Sequence, residues 1–306
     1  MTTIYFNRDT DDDTRRQRIY DGDLFVYSPS AATRALCALA RELSEKAFAP
    51  HDPQNAQHFL PVDKYIEVLA TLKPSFIHHP ESKPLIQSIL KDVGCDMRRT
   101  YFDLPRLRTA THGGYLTTGL AYAFKPHRDL WYSTPQCQIN WWLPIYPIES
   151  ENAMAFHTRY WDQPVKNSSA DFDYQEWNRV GRKVASKQVG ADTRKQSRVL
   201  EPIQLDPELR VISEPDGLLI FSPAHLHSTV PNTSGRTRLS IDFRTVHLDE
   251  LADNSGAPNL DNASTGTTIR DYVRGTDFTL VPEDIRALYE TRPPTEEELP
   301  PQLQSK

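Results

Sequence analysis

With 306 residues and 35.0 kDa, the chain is long enough for one large domain or two small ones, with a sizeable core in either case. Its 35 Lys+Arg against 41 Asp+Glu give a formal net charge of −6, which argues against a phosphate backbone as main partner. No stretch approaches the roughly 18 consecutive apolar residues of a membrane span, so neither nucleic acid nor a bilayer is an expected partner. The first twenty residues carry charge with no apolar run behind it, so no signal peptide is expected and a cytoplasmic location is. Cys37, Cys95 and Cys137 are odd in number and lack CxxC spacing, which points to buried thiols rather than disulfides or structural zinc.

Taken in chain order, the first predicted element is a helix over 31–48, capped by Ser30, with Leu36, Leu39, Ala40, Leu43 and Ala47 at three- and four-residue spacing. A second begins near Asp63 and is expected to stop before Pro74. A third has Ser82 as cap, Pro84 in its first turn and Gly94 just past its end. These helices, over about 20–95, read as a brace for a sheet. From about Arg98 to 248 the period changes to short β-rich runs: MRRTYFDLPRL, YLTTGLAYAF, CQINWWLPIYPI, AMAFHT, LRVISEP, GLLIFSP and RLSIDFRTV. With no helices alternating between them, they predict a mainly β core of sandwich or jelly-roll type. Residues 162–200 are polar and basic, fitting either a lid or a mobile loop. Residues 249–290 read as a C-terminal extension of a single domain over 1–290, and 291–306 as a disordered tail.

The chemistry-bearing segment is Phe124-Lys125-Pro126-His127-Arg128-Asp129. Two residues apart on a strand, His127 and Asp129 would share a face and could reach one ion. A third ligand has two candidates downstream, His225 and His227, each followed eleven residues later by an arginine, Arg236 or Arg238. Two imidazoles and one carboxylate leave half an octahedron open, the facial arrangement of non-heme Fe(II) oxygenases. Gln138, Asn140 and Trp142 share one face of the next predicted strand, facing either a pocket or the core. His225 reads as a group near the pocket, and His157 as either a substrate contact or a buried imidazole. Trp131, Tyr132, Trp141, Tyr160 and Trp161 fit a core or a binding surface.

These motifs resemble the Fe(II)/2-oxoglutarate dioxygenases, most nearly the phytanoyl-CoA dioxygenase-like branch, over roughly 98–248. Gly217 and Phe221 precede His227 by ten and six residues, Pro231-Asn232 follow, and Arg238 lies eleven beyond, an offset pattern that favours His227 with Arg238. The resemblance implies a double-stranded β-helix with His127, Asp129 and His227 as metal ligands. It also implies Arg238 with Ser240 and Thr229 at the 2-oxoglutarate tail, and Phe124 beside the metal. Gln138 and Asn140 are candidates for the same pocket. The implied reaction oxidises a small molecule with O2 while 2-oxoglutarate becomes succinate and CO2. Related halogenases carry a small residue where Asp129 stands, so hydroxylation is favoured. Asn152–Trp161 lacks the branch's Pro-Gly-Ser-His turn. Lys125, Arg128, Arg159 and the basic insertion suggest a small polar or anionic substrate. A metalloenzyme without an oxo acid, and a binding module without turnover, stay open as alternatives. Oligomeric state is not readable.

Overall fold

In the computed structural model residues 2–290 are described; the tail expected over 291–306 lies outside them. The chain is rich in sheet, with helices at its N-terminal end. Strands β1 (Ile4–Phe6), β2 (Leu24–Tyr27), β3 (Thr100–Phe102), β4 (Arg106–Ala110) and β5 (Ile139–Pro144) are followed by β6 (Met154–Phe156) and β7 (Leu209–Val211). Then come β8 (Leu218–Phe221), β9 (His227–Thr229), β10 (Arg238–His247) and β11 (Val273–Arg274). The large sheet runs β1-β2-β8-β5-β10-β3-β11, with β4 also paired to β10, and a small sheet runs β7-β6-β9. No described helix is long and apolar enough to cross a membrane.

The long strand β10 organises the large sheet. It pairs antiparallel with β5 from Ser240 to Thr245, with β4 from Arg238 to Asp242, and with β3 from Thr245 to His247. Because successive side chains of a strand alternate, Leu239, Ile241 and Phe243 join Leu107, Trp141 and Leu143 in the main core on one face. Arg238, Ser240, Asp242 and Arg244 fall on the other. A second core, with Trp142, Leu219, Phe221, Met154, Phe156 and Val211, packs the small sheet against the large one.

Helices α1 (Asp12–Tyr20), α2 (Ala31–Phe48), α3 (Val62–Ile77) and α4 (Ser82–Asp92) contribute to the main core. Helix α2 has the expected bounds, and its start is a capping box: the Ser30 hydroxyl accepts from Thr33 N–H (3.2 Å) and Thr33 Oγ1 accepts from Ser30 N–H (2.9 Å). Its stripe buries Leu36, Cys37, Ala40 and Phe48.

Four expectations need correction. Helix α3 does not stop before Pro74 but continues to Ile77. Phe76, fully buried, anchors the last turn, and Ser82 Oγ donates to its carbonyl (2.7 Å). Ser82 is therefore the first residue of α4 rather than its cap. The brace also contains a strand, β2, which pairs in the large sheet with β1 from ahead of the brace; α1 lies between them, and its polar sequence has no apolar period to detect. Finally, YLTTGLAYAF contains no strand. Residues Gly119–Ala121 turn, and Gly119 N–H is bound by Asp192 Oδ2 (3.0 Å) from the polar insertion.

If Phe76 holds the post-proline turn, Phe76→Ala should lower stability by about 3–5 kcal/mol in urea unfolding. A loss below about 1 kcal/mol would mean that other contacts hold it.

Candidate metal centre

His127 and His227 are neighbours across a two-residue antiparallel bridge. His127 N–H donates to His227 O (3.0 Å), and His227 N–H donates to His127 O (2.9 Å). The bridge sets the two imidazoles side by side, 4.3 Å between ring centroids. Each Nδ1 lies against a carbonyl two residues earlier, Lys125 O for His127 (2.8 Å) and His225 O for His227 (2.9 Å). A carbonyl can only accept, so each Nδ1 carries the proton and each Nε2 keeps its lone pair free. Both Nε2 atoms face Asp129 Oδ1, at 3.3 Å and 3.9 Å. One ligand atom from each of the three residues lies within 4.8 Å of the others, the only such cluster among the described residues.

The carboxylate arrives differently from the sequence argument. Asp129 is not on a strand with His127 but opens a tight turn over Asp129–Tyr132. The intervening residue fixes that turn: Arg128 is 1% exposed and donates to the Ala224, Tyr160 and Gln163 carbonyls as well as Asp261. Asp261 Oδ1 also accepts from Trp131 Nε1 (2.7 Å). Arg128 is thus a strut behind the site and not a substrate-facing cation.

Electrostatics favour the metal-binding protonation states. Burial, then repulsion from the neighbouring His127, pushes His227 down to about 4, so it is neutral near pH 7. Burial alone would push Asp129 up, but the two imidazoles beside it prevail and hold it well below the usual carboxylate range.

The three groups open into a cavity of about 880 Å3. Phe124 stacks on the His127 ring at 5.0 Å, and Thr229, Asn140, Trp142 and Arg238 line the same space. Arg238 is 5% exposed. Its Nη1 donates to Asn152 O (2.9 Å) and Ala153 O (3.1 Å), its Nε has no partner, and no carboxylate lies within 4 Å among the described residues. Burial, with repulsion from Arg108, pushes it down to about 10, leaving it cationic at neutral pH. Ser240 Oγ and Asn140 Nδ2 are likewise buried without partners. A buried unpaired guanidinium is costly, and Arg238, which lines the cavity with an unpaired Nε, is a group that an anionic ligand would satisfy; Asn140 lines the cavity six residues further along the ladder, opposite Arg244, and Ser240 lies outside the lining.

Other sequence candidates fall elsewhere. Gln138 is wholly buried and does not line the cavity; its Nε2 donates to Asn140 Oδ1 (2.8 Å) and its Oε1 accepts from Tyr272 (2.7 Å), so it orients Asn140. His225 lies in a bend, so the shared-face argument fails: its ring packs on Trp161, its Nε2 donates to Gly22 O (3.1 Å), and only its carbonyl serves the site. His157 is buried with Nε2 on Ser228 Oγ (3.0 Å). Arg236, Arg159 and Lys125 are exposed and outside the cavity lining. Of the aromatic group, Tyr132 and Trp141 line the cavity. The insertion folds over the site, with Phe172, Tyr174 and Trp177 forming part of the wall. Sequence reasoning missed Lys73, Arg106, Arg108, Asp242 and Arg244, all cavity-lining; the alternation of charge in Arg106–Arg108 and Asp242–Arg244 is the signal that could have found them.

No family model matches the chain, and no curated protein matches it. Among solved structures, the chain is similar to EvdO2 from Micromonospora carbonacea var. aurantiaca at 12% identity and TM-score 0.45, covering 78% of this chain and 92% of that one. It is also similar to the apo form of the non-heme monooxygenase ThoJ at 12% and 0.42, over 76% and 77%. The non-heme alpha ketoglutarate dependent epimerase SnoN from nogalamycin biosynthesis aligns at 14% and 0.38, over 89% and 100%.

Divalent metal binding should be lost in Asp129→Ala, weakening at least about 100-fold, with the fold retained because Asp129 lies on a turn at the cavity edge. His225→Ala should keep a metal affinity within about tenfold of wild type. Calorimetric titration with Co(II) distinguishes the pair; equal losses would contradict the ligand assignment.

Proposed function

We propose that the protein is a non-heme Fe(II)/2-oxoglutarate-dependent dioxygenase, of the phytanoyl-CoA dioxygenase-like branch, that hydroxylates a small polar metabolite. The observation that carries this reading is the pairing of an open His127–Asp129–His227 triad with the unpaired, buried Arg238 in one cavity. The two-sheet arrangement, with the triad on β9 and the turn bridged to it, supports a double-stranded β-helix as the scaffold.

The residues present fit both groups. His127 and His227 offer Nε2 lone pairs and Asp129 an ionised oxygen, a mixed N/O set with open positions that suits Fe(II) better than a closed zinc site. Arg238 would pair with the distal carboxylate of 2-oxoglutarate through its unpaired Nε edge, while its Nη1 stays on the backbone of 152–153. The free Ser240 hydroxyl, two residues along β10, and Thr229 would supply further donors. When bound, Fe(II) and 2-oxoglutarate supply the oxidising chemistry: one atom of O2 goes to the substrate, the other to succinate, and CO2 is released. The protein's share is placement. The histidine bridge and the Arg128 strut hold the triad, Phe124 and Trp142 wall the pocket with apolar surface, and Asn140, aimed by Gln138, presents an amide N–H to whatever lies beside the metal. Asp129 occupies the position that halogenases of the resembling group leave open, which supports oxygen transfer over halogenation.

Anaerobic addition of Fe(II) and 2-oxoglutarate should produce a weak visible charge-transfer band, and oxygen should then yield succinate. Arg238→Met should raise the 2-oxoglutarate Kd about 100-fold, corresponding to the roughly 3 kcal/mol lost on truncating one member of a buried charged pair. A band-free titration, or an unchanged Kd in the variant, would overturn the oxo-acid assignment in favour of a metalloenzyme that does without it.

A further inference from the structure

The cavity is far larger than a metal and a five-carbon diacid require. At about 880 Å3 it is in the range of pockets that enclose drug-sized ligands, and its walls have a definite character. One wall is a relay of rings that begins at a metal ligand. The His127 ring meets Tyr132 edge-on at 5.7 Å, Tyr132 meets Phe172 edge-on at 5.1 Å, and Phe172 lies 5.9 Å from Trp177. The last two rings belong to the polar insertion, which thereby joins the metal centre's own surface.

Cations are set among these rings. Arg108 lies over Phe124 (5.3 Å), Arg182 over Tyr174 (5.4 Å) and Arg194 over Trp177 (5.0 Å), all lining the cavity. The whole lining carries ten Lys and Arg side chains against four carboxylates, one of them the ligand Asp129. Most of the guanidinium groups have acid partners: Arg108 is bidentate on Asp242, with Nη2 at 3.0 Å. Lys73, reaching the cavity from α3, has none within 4 Å among the described residues. Its Nζ makes one hydrogen bond, to Leu107 O (2.7 Å); burial, with repulsion from Arg108, pushes it down to about 7, so an incoming anion would hold it as an ammonium with two donors for the ligand.

We propose that the substrate is a flat, conjugated ring system bearing an oxyanion, with the ring laid along the Tyr132–Phe172–Trp177 wall and the acid group received by Lys73 backed by Arg108. Rings accept rings without regard to hydrogen bonding, whereas an ammonium with spare donors beside a fixed guanidinium selects for charge. This inference rests on reading the cavity as an oxygenase active site, and in place of a small polar metabolite it assigns a polycyclic or extended aromatic acid.

The test needs neither metal nor oxo acid. Metal-free protein is titrated with anthracene-2-carboxylate, its neutral counterpart anthracene-2-methanol, and the bulky but non-planar adamantane-1-carboxylate, following tryptophan fluorescence and heat. The aromatic acid should bind at least about tenfold tighter than either control. Lys73→Met should abolish its advantage over the alcohol, and Trp177→Ala should weaken both anthracenes about fivefold or more. Affinity should persist in Arg238→Met, which removes the niche assigned to 2-oxoglutarate. Equal affinity for acid and alcohol, equal affinity for flat and non-planar acids, no binding of any probe, or loss of binding in Arg238→Met would each overturn the proposal. Since these titrations omit Fe(II) and 2-oxoglutarate, their failure is separable from failure of the oxygenase reading, which the charge-transfer titration tests alone.

Discussion

Everything at the candidate site depends on the reciprocal backbone hydrogen bonds between His127 and His227. One hundred residues apart in sequence, these two positions become cross-strand neighbours, and the pairing fixes both the spacing of the imidazoles and the direction of their free nitrogens. The carbonyls of Lys125 and His225 then choose the tautomer, since each can serve only as acceptor. Asp129 completes the set because the chain turns immediately after the bridge, and Arg128, buried on the opposite side, ties that turn to three carbonyls and Asp261. The candidate ligand set is thus built from a two-residue bridge and a pinned turn.

The second constraint is the charged face of the large sheet. Strand alternation puts Leu239, Ile241 and Phe243 into the core and Arg238, Ser240, Asp242 and Arg244 on the opposite face, where Arg238, Asp242 and Arg244 line the cavity. Across the ladder, Arg106 and Arg108 of β4 join them. Asp242 holds Arg108, and Asp103 lies near both Arg106 and Arg244, so most of these charges are paired as burial demands. Arg238 is the exception: without an acid partner, it is held by the Asn152 and Ala153 carbonyls and lies over the Trp142 ring (5.6 Å), in the same cavity as the candidate triad.

The legible part of the sequence was local in kind. The His-x-Asp pair, the offset from Phe221 through His227 to Arg238, the cap at Ser30 and the β-rich runs over β5 to β10 each carry a signal within a short window. What could not be read was set by tertiary context. Helix α1 is too polar to show a period, so β1 and β2 on either side of it were missed. Phe76 overrides Pro74 by packing. His225 looked equivalent to His227, but a bend at 222–226 turns its ring toward Trp161 and Gly22. The cations chosen from the sequence, Lys125, Arg128 and Arg159, were near the motifs in number only; those that line the cavity, such as Lys73 and Arg108, come from elements whose proximity arises on folding.

The most direct test of the account is X-ray absorption at the metal edge of the iron-loaded protein, without and with 2-oxoglutarate under anaerobic conditions. The account predicts a six-coordinate N/O shell with multiple scattering from two imidazoles, rearranged but still two-histidine when the oxo acid is added. A shell containing sulfur, one or no imidazole, or a closed four-coordinate site indifferent to the oxo acid would contradict it.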